Sequence, residues 1–205
     1  LILRSVARGA LSDWAHSYGS MMSPLLAGAN MCQMLVASDL RKAYNGTLAV
    51  DGVSLQLGRG ESVGLLGPNG AGKSTTIAML STLTRPDSGT VEFEGQKVLA
   101  DPDPVRRAMG VVPQEIALYP ELSAQENLEF FGGLYGLRGH ALKRAIDDAL
   151  DLVGLSERRR DQIKKYSGGM KRRINIAAAL LHDPKIVIMD EPTVGIDPQS
   201  RNHIL

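Results

Sequence analysis

The stretch that decides the fold is Gly67-Pro-Asn-Gly-Ala-Gly-Lys73-Ser74, which fits the pattern G-x-x-x-x-G-K-[ST] at every fixed position. It follows the apolar run Val63-Gly-Leu-Leu66 and precedes a segment with helical spacing of apolar residues. The glycines let the backbone curl so that successive N–H groups point at phosphate oxygens, and the helix that begins there adds the positive end of its dipole. The sequence therefore predicts a strand, a phosphate-binding loop and a helix in succession.

Two side chains of this loop carry defined chemistry. Lys73 is expected to reach the β- and γ-phosphates of a nucleoside triphosphate, and the hydroxyl of Ser74 is expected to bind Mg²⁺. The alternative, a Gly-rich turn that matches by chance, is disfavoured by the strand before it and the helix after it. The predicted nucleotide-binding residues of this segment are Gly67, Pro68, Asn69, Gly70, Ala71, Gly72, Lys73, Ser74 and Thr75.

A second candidate element is the continuous apolar run 186–189, which ends in Asp190 and Glu191. Asp190 is expected to hold Mg²⁺, and Glu191 to polarise the attacking water as a general base. The alternative interpretation is two acidic residues that merely close a strand. This alternative is disfavoured because a predicted phosphate-binding loop lies in the same chain.

Composition limits the classes of partner. The 205 residues hold 23 Lys and Arg against 22 Asp and Glu, so no global basic field favours nucleic acid, and none is expected as a partner. The single cysteine, Cys32, excludes an internal disulfide and a cysteine-based zinc site. From Val36 onward no stretch approaches the roughly 20 apolar residues that cross a bilayer, so a membrane role requires a partner.

Residues 1–35 differ in composition from the rest of the sequence and show neither helical nor strand periodicity. We expect a disordered extension, or translated upstream sequence with the domain beginning near Met31 or Met34. A signal peptide is disfavoured because polar residues and a proline interrupt the apolar core that it would need.

Apolar periodicity predicts the remaining elements. Strands are expected at 36–44, 53–57, 63–66, 91–93, 109–112 and 186–189. The helix after the loop carries Ile77, Leu80 and Leu83 on one face. The capping box Ser123-Ala-Gln-Glu126 opens a second helix, a third is expected over 138–153, and Ser167 opens a fourth. The helices suggest an inserted subdomain at about 115–168.

Tyr166-Ser-Gly-Gly-Met170 resembles the signature sequence of ABC ATPases, and its order and spacing relative to Asp190-Glu191-Pro-Thr match that family. Gln114 and Gly195-Ile-Asp197 add to the match, which runs from about residue 36 to residue 205. The resemblance implies an α/β P-loop NTPase fold, with a RecA-like core, an antiparallel β subdomain and an inserted α-helical subdomain. It also implies an ATPase that binds ATP together with Mg²⁺.

The resemblance also implies roles for individual residues. Two such domains would pair head to tail, so that Ser167, Gly168 and Gly169 of one cap the γ-phosphate held by the other. Gln114 would contact Mg²⁺ and the attacking water, Tyr44 would stack on adenine, and Asp197 would lie at the dimer interface. Tyr44 as an edge-strand aromatic and Gln114 as a plain loop amide remain alternatives.

Departures from the signature refine the function. Tyr166 and Met170 replace the usual Leu and Gln, and Met170 followed by Lys-Arg-Arg173 resembles drug and antibiotic exporter subunits of the linearmycin-resistance type. This implies a separate transmembrane permease subunit and a peripheral place on the cytoplasmic face of the cell membrane. The basic runs 158–160 and 171–173 are interpreted as solvated helix surface rather than as a lipid-binding patch.

The family's switch histidine, expected some thirty residues beyond the carboxylates, has no counterpart, because the sequence runs only 14 residues past Glu191. We therefore expect a fold incomplete at the C-terminus, with the middle of the sheet open between the phosphate-loop strand and the strand before Asp190. Such a chain would bind nucleotide weakly and hydrolyse it very slowly. Two alternatives stay open: a soluble ABC ATPase of translation or DNA repair, and a degenerate nucleotide-binding module. The spacing of 94 residues between Lys73 and Ser167 favours the transporter.

Overall fold

The computed structural model describes residues 2–5, 33–98 and 102–189. These residues form two compact units. The first comprises 2–5, 33–98, 102–111 and 185–189, and the second comprises 112–184. Within the described residues, no helix is both long enough and apolar enough to span a bilayer.

One four-stranded sheet leads into residues 67–74, the loop predicted to bind phosphate and called the phosphate-binding loop below. Its strands are β1 (Ile2–Ser5), β4 (Ser62–Gly64), β7 (Met109–Val112) and β8 (Ile186–Met189), in the order β4-β1-β8-β7. Both β4 and β8 are antiparallel to β1, so these two strands run in the same direction.

The strand β1 corrects two expectations from the sequence. No strand was predicted before Val36, and the middle of the sheet was expected to be open. Instead β1 lies between β4 and β8, with Leu3 opposite both Val63 and Ile188 and fully buried. Buried backbone N–H and C=O groups need partners, and β1 supplies them to both neighbours.

The strand before the loop is shorter and less buried than predicted. It ends at Gly64, Val63 is only half-buried, and the side chain of Leu66 is 94% exposed. The chain leaves the sheet after Gly64 to form the loop, so residue 66 has no sheet neighbours to pack against.

The helix α1 (Lys73–Leu80) follows the loop. Ile77 and Leu80 are buried as predicted, but Leu83 is exposed and lies beyond the helix. The prediction for Leu83 is wrong because α1 ends at Leu80, and Thr82, with φ 64°, turns the chain away from the helical path.

A second, antiparallel sheet completes the first unit. Its strands are β2 (Gln33–Tyr44), β3 (Thr47–Gly58), β5 (Ser88–Phe93) and β6 (Gln96–Lys97), in the order β3-β2-β5-β6. The predicted turn at Asn45-Gly46 joins β2 to β3, with φ of 48° and 79°. The short helix α2 (Asp103–Ala108), which the sequence did not predict, leads into β7. The two sheets and α1 share one apolar core.

The second unit is helical. It contains α3 (Ala124–Leu134), α4 (Gly139–Leu152), α5 (Gly168–Leu180) and two 3-10 turns at Ser156–Arg158 and Ile163–Lys165. The predicted capping box is present, because Ser123 Oγ accepts from Glu126 N and Glu126 Oε2 accepts from Ser123 N at 2.7 Å. The three helices pack around a core of their own.

Candidate nucleotide-binding site

The loop between β4 and α1 closes around the side chain of Lys73. Its Nζ atom donates to the carbonyl oxygens of Gly67 at 2.7 Å and Pro68 at 2.8 Å. The N–H of Ala71 donates to Pro68 O at 3.2 Å and tightens the same turn. An ammonium group has three donors, so Lys73 can hold both carbonyls and still contact an anion. The loop therefore places a positive charge inside its own curve.

The N-terminus of α1 adds to that charge. Gly72 is the N-cap, no side chain caps the helix, and the first turn holds no acidic residue. The positive end of the helix dipole is therefore not offset by a local carboxylate. Ser74 lies exposed in this first turn, and Thr75 is half-buried beside it.

Thr76 is a further residue of the candidate site, which the sequence did not predict. It is buried, and both its N–H and its Oγ1 donate to Gly72 O, at 2.8 and 2.9 Å. These bonds tie the exit of the loop to the first turn of α1. The signal in the sequence was the position of Thr76, four residues before the core residue Leu80 and so on the same, buried face of the helix.

The loop packs closely on the hairpin that carries Tyr44. A β-carbon at Gly72 would lie 2.3 Å from Ala49 O and 3.0 Å from Val50 Cγ2, both on β3. Tyr44 pairs with Thr47 at the start of the same strand. The side chain of Tyr44 is 46% exposed, and Lys42 Nζ lies 5.7 Å from the centroid of its ring.

Asp87 anchors the strand end that presents Tyr44. Its carboxylate accepts from Lys42 Nζ at 2.7 Å and from the N–H of Ala43 at 2.8 Å. The hydrogen bond from Lys42, followed by that from Ala43, holds the pKa of Asp87 below its usual value. The last residues of β2 are therefore fixed before the hairpin turn.

The signature-like segment opens α5 in the second unit. Ser167 is the N-cap, and its Oγ accepts from Met170 N at 3.2 Å. Ser167 and Gly168 are exposed, whereas Gly169 is buried. This helix start is Gly-rich, partly exposed, and has no acidic residue in its first turn.

Tyr166, at the position where the family usually has Leu, is buried beside this helix start. Its hydroxyl donates to Arg158 O at 2.7 Å. Burial, with a further contribution from the negative charge of Asp161, raises the pKa of Tyr166. The buried tyrosine therefore anchors the 3-10 turn at Ser156–Arg158.

Gln114 follows β7, and its side chain is exposed. Its carbonyl oxygen accepts from Arg172 Nη1 at 3.2 Å, and the same nitrogen donates to Pro113 O. Arg172 is only 3% exposed, so the interpretation of this basic run as solvated surface is wrong for Arg172. The available signal was its spacing from the apolar residues Ile176 and Ala179, four and seven positions later on the same face of α5.

Asp190, Glu191 and Asp197 lie outside the described residues. The strand β8, which ends immediately before Asp190, is fully buried over all four residues, as predicted. In the described parts of the chain, no three His, Cys, Asp or Glu side chains come together in a group suited to hold a metal ion.

Sequence comparisons extend these observations. Residues 50–194 match the family model described as ABC transporter. The chain is 58% identical over 173 residues to the linearmycin resistance ATP-binding protein LnrL of Bacillus subtilis (strain 168), covering 84% of this chain and 55% of that protein. It is 46% identical over 167 residues to the daunorubicin/doxorubicin resistance ATP-binding protein DrrA of Streptomyces peucetius, covering 82% and 51%. The chain spans about half the length of the curated relatives that it matches.

Structural comparisons agree with the sequence matches. An ATP binding subunit of an ABC transporter superposes with a TM-score of 0.70 and 30% identity, covering 83% of this chain and 71% of that one. CbiO1 from Clostridium perfringens, part of the ABC transporter complex cbiONQ, gives a TM-score of 0.74 and 28% identity, covering 84% and 70%. The fold is therefore that of a P-loop NTPase nucleotide-binding domain. With the family model matched over most of the described residues and relatives well above 30% identity, the chain belongs to the ABC transporter family.

Proposed function

We propose that this chain is the ATP-binding part of an exporter, in which ATP binding and hydrolysis drive a drug, an antibiotic or a similar hydrophobic molecule through a separate membrane subunit. The closure of the loop around Lys73 beside the uncapped start of α1 is the observation that carries the proposal. The relatives named for resistance to linearmycin and to daunorubicin and doxorubicin support the choice of substrate class.

The loop residues fit a triphosphate. Gly67 to Ala71 are exposed, Gly72 leaves no room for a β-carbon, and Lys73 supplies a cation inside the curve. The set 67–75 binds the phosphates of ATP, and Tyr44 stacks on the adenine from the adjoining hairpin. Ser74, Gln114 and Asp190 would hold Mg²⁺, which would supply positive charge to offset that of the β- and γ-phosphates.

Hydrolysis is assigned to Glu191 and Gln114. Glu191 accepts a proton from the attacking water, and the side-chain amide of Gln114 orients that water. Gln114 is suited to this role because its side chain is exposed while its backbone is held by Arg172.

The active assembly is a head-to-tail pair of such domains. Ser167 and Gly168, which are exposed, and Gly169, which is buried, form a Gly-rich helix start that caps the γ-phosphate held by the loop of the other subunit. The pair docks on the transmembrane permease subunit and so lies at the cytoplasmic face of the membrane. Nucleic acid is not a partner in this proposal.

Nucleotide binding is tested first, with a fluorescent ATP analogue titrated into this chain in the presence of Mg²⁺. Saturable binding is expected, together with its loss in Lys73→Ala. Lys97→Ala removes the same charge from an exposed position in β6 of the same unit and is expected to bind like the wild type. Equal binding by the Lys73→Ala variant would overturn the assignment of the loop.

Transport is tested in a drug-sensitive bacterial host that expresses the gene encoding this chain together with the neighbouring membrane-subunit gene. Resistance to an amphipathic antibiotic is expected to rise, and Glu191→Gln is expected to abolish it while ATP binding persists. Unchanged sensitivity, combined with co-sedimentation of the protein with ribosomes or DNA, would favour a soluble ABC ATPase instead.

A further inference from the structure

Residues 113–118, which we term the Gln114 loop, connect β7 to the helices of the second unit without any helix or strand of their own. Four consecutive side chains, those of residues 114–117, are exposed. A segment without regular structure makes few backbone hydrogen bonds of its own, so partners outside it are needed to fix its backbone. Two buried polar side chains of α5 supply them.

Arg172 supplies the first pair of contacts. Its Nη1 atom donates to the carbonyl oxygens of Pro113 and Gln114, at 3.2 Å for Gln114. A guanidinium stays protonated when buried, and hydrogen bonds from a charged donor are stronger than neutral ones. Arg172 therefore holds two consecutive residues at the start of the loop.

Asn175 supplies the next contact, three residues along α5. It is 5% exposed, and its Oδ1 accepts from the N–H of Ala117 at 3.3 Å. Residues three apart lie on the same face of a helix, so Arg172 and Asn175 hold the loop from one side. Side chains 114–117 remain exposed while the backbone is fixed.

The same helix begins with Gly168 and Gly169, after the N-cap Ser167. Arg172 lies four residues after Gly168, which corresponds to about 6 Å along the helix axis. The helix thus joins the signature-like helix start to the Gln114 loop within one unit, through hydrogen bonds from two buried side chains.

We propose that Arg172 and Asn175 are positioning residues that fix the Gln114 loop to the signature-bearing helix, so that both elements move as one body. The proposal rests on the proposed function in assigning hydrolysis to Gln114. The phosphate-binding loop lies in the other unit and has no part in these bonds. Loss of either side chain therefore impairs hydrolysis and leaves nucleotide affinity largely unchanged.

The first test is amide hydrogen exchange on this chain. Asn175→Leu removes the acceptor of the Ala117 N–H, and Arg172→Met releases the carbonyls of Pro113 and Gln114, each at nearly constant volume. Both variants should therefore speed exchange in residues 114–118, and most at Ala117, about tenfold or more. Asn175→Asp keeps an oxygen acceptor for Ala117 N and should exchange at that amide like the wild type. Unchanged exchange in Arg172→Met and Asn175→Leu would overturn the proposal.

Arg173→Met is the matched control. Arg173 Nη1 donates to Val153 O at 2.9 Å, so this variant also loses a guanidinium–carbonyl bond from α5, but to the end of α4. Its effect on exchange should be confined to the residues around Val153.

The second test measures ATP hydrolysis by the gene product in complex with its membrane subunit. Arg172→Met and Asn175→Leu should lower kcat about tenfold with KM changed less than twofold, and Arg172→Lys should recover part of kcat. A fall in kcat no larger than that of Arg173→Met would reduce both residues to a structural role and overturn the proposal. An inactive wild-type complex would contradict the proposed function, and the exchange experiment would still decide whether the two residues hold the loop.

Discussion

A β-carbon at Gly72 would lie 2.3 Å from the carbonyl oxygen of Ala49, closer than van der Waals contact permits. Gly72 also has φ 79°, in the left-handed region that favours glycine. Two features therefore require glycine at position 72: its own left-handed backbone conformation and its close contact with β3. This contact sets how closely the loop approaches the hairpin that bears Tyr44.

Replacing Gly72 with Ala should distort the loop and weaken ATP binding at least tenfold. Gly95 is the matched control, because it lies outside the loop, has φ 78° and has no heavy atom near its missing β-carbon. Gly95→Ala should cost only the left-handed strain, about 1–2 kcal/mol. Urea unfolding and titration with a fluorescent ATP analogue measure both effects. Equal losses in the two variants would show that the contact with Ala49 has no role.

Substitution of Leu3 tests whether β1 is part of the sheet. The side chain is fully buried in the apolar core, on the strand between β4 and β8, so Leu3→Ala should lower the free energy of unfolding of the first unit by about 2–5 kcal/mol. Leu66→Ala makes the same chemical change at an exposed position and should be nearly neutral. Chemical unfolding monitored by circular dichroism compares them, and equal stability of the two variants would place Leu3 outside the core.

The capping box of α3 should give the second unit a pH-dependent stability. Hydrogen bonds from Ser123, first from its hydroxyl and then from its backbone N–H, lower the pKa of Glu126 below the ordinary value of 4.5. A lowered folded-state pKa means that the contribution is complete above the unfolded value and disappears as the pH falls through the folded value.

Glu126→Gln removes this titration. The difference in unfolding free energy between wild type and variant should be constant from pH 7 to about 5, then shrink toward pH 3. Glu129→Gln removes the same charge three residues further along the same helix and leaves the capping box intact, so it is the matched control. A wild-type advantage over Glu126→Gln that stays constant down to pH 3 would contradict the prediction.

Local patterns were sufficient where neighbouring residues determine the structure. Asn45-Gly46 formed the predicted hairpin turn because both residues tolerate positive φ, and Ser123 with Glu126 formed the predicted capping box within a single turn. The phosphate-binding loop is another local motif, since its bonds join residues no more than six apart.

Prediction failed where the partner is distant in sequence. β1 pairs with residues about 60 and about 185 positions away, and nothing in four residues encodes those partners. Arg172 is buried because carbonyls 58 and 59 positions earlier accept its hydrogen bonds, which a run of basic residues does not reveal. Both cases depend on tertiary pairing, which local periodicity does not report.

Tyr44 offers a way to separate recognition of the base from recognition of the phosphates. The ring lies at the end of β2, half exposed, with Lys42 and Asp87 fixing the backbone beside it. It makes no bond to the phosphate-binding loop in the contacts described above. A role in adenine stacking therefore predicts an effect that depends on the base alone.

Tyr44→Ala should weaken ATP binding by about tenfold, because stacking of a base on an aromatic ring is worth about 1–3 kcal/mol. Tyr44→Phe keeps the ring and should bind like the wild type. Inorganic triphosphate has no base, so its affinity should not depend on residue 44. It is measured by competition against a fluorescent ATP analogue, with a correction for the affinity of each protein for the analogue. The resulting inhibition constant should be the same for the wild type and both variants. If Tyr44→Ala weakened triphosphate as much as ATP, the tyrosine would be acting by supporting the hairpin under Gly72, and the stacking role would be wrong.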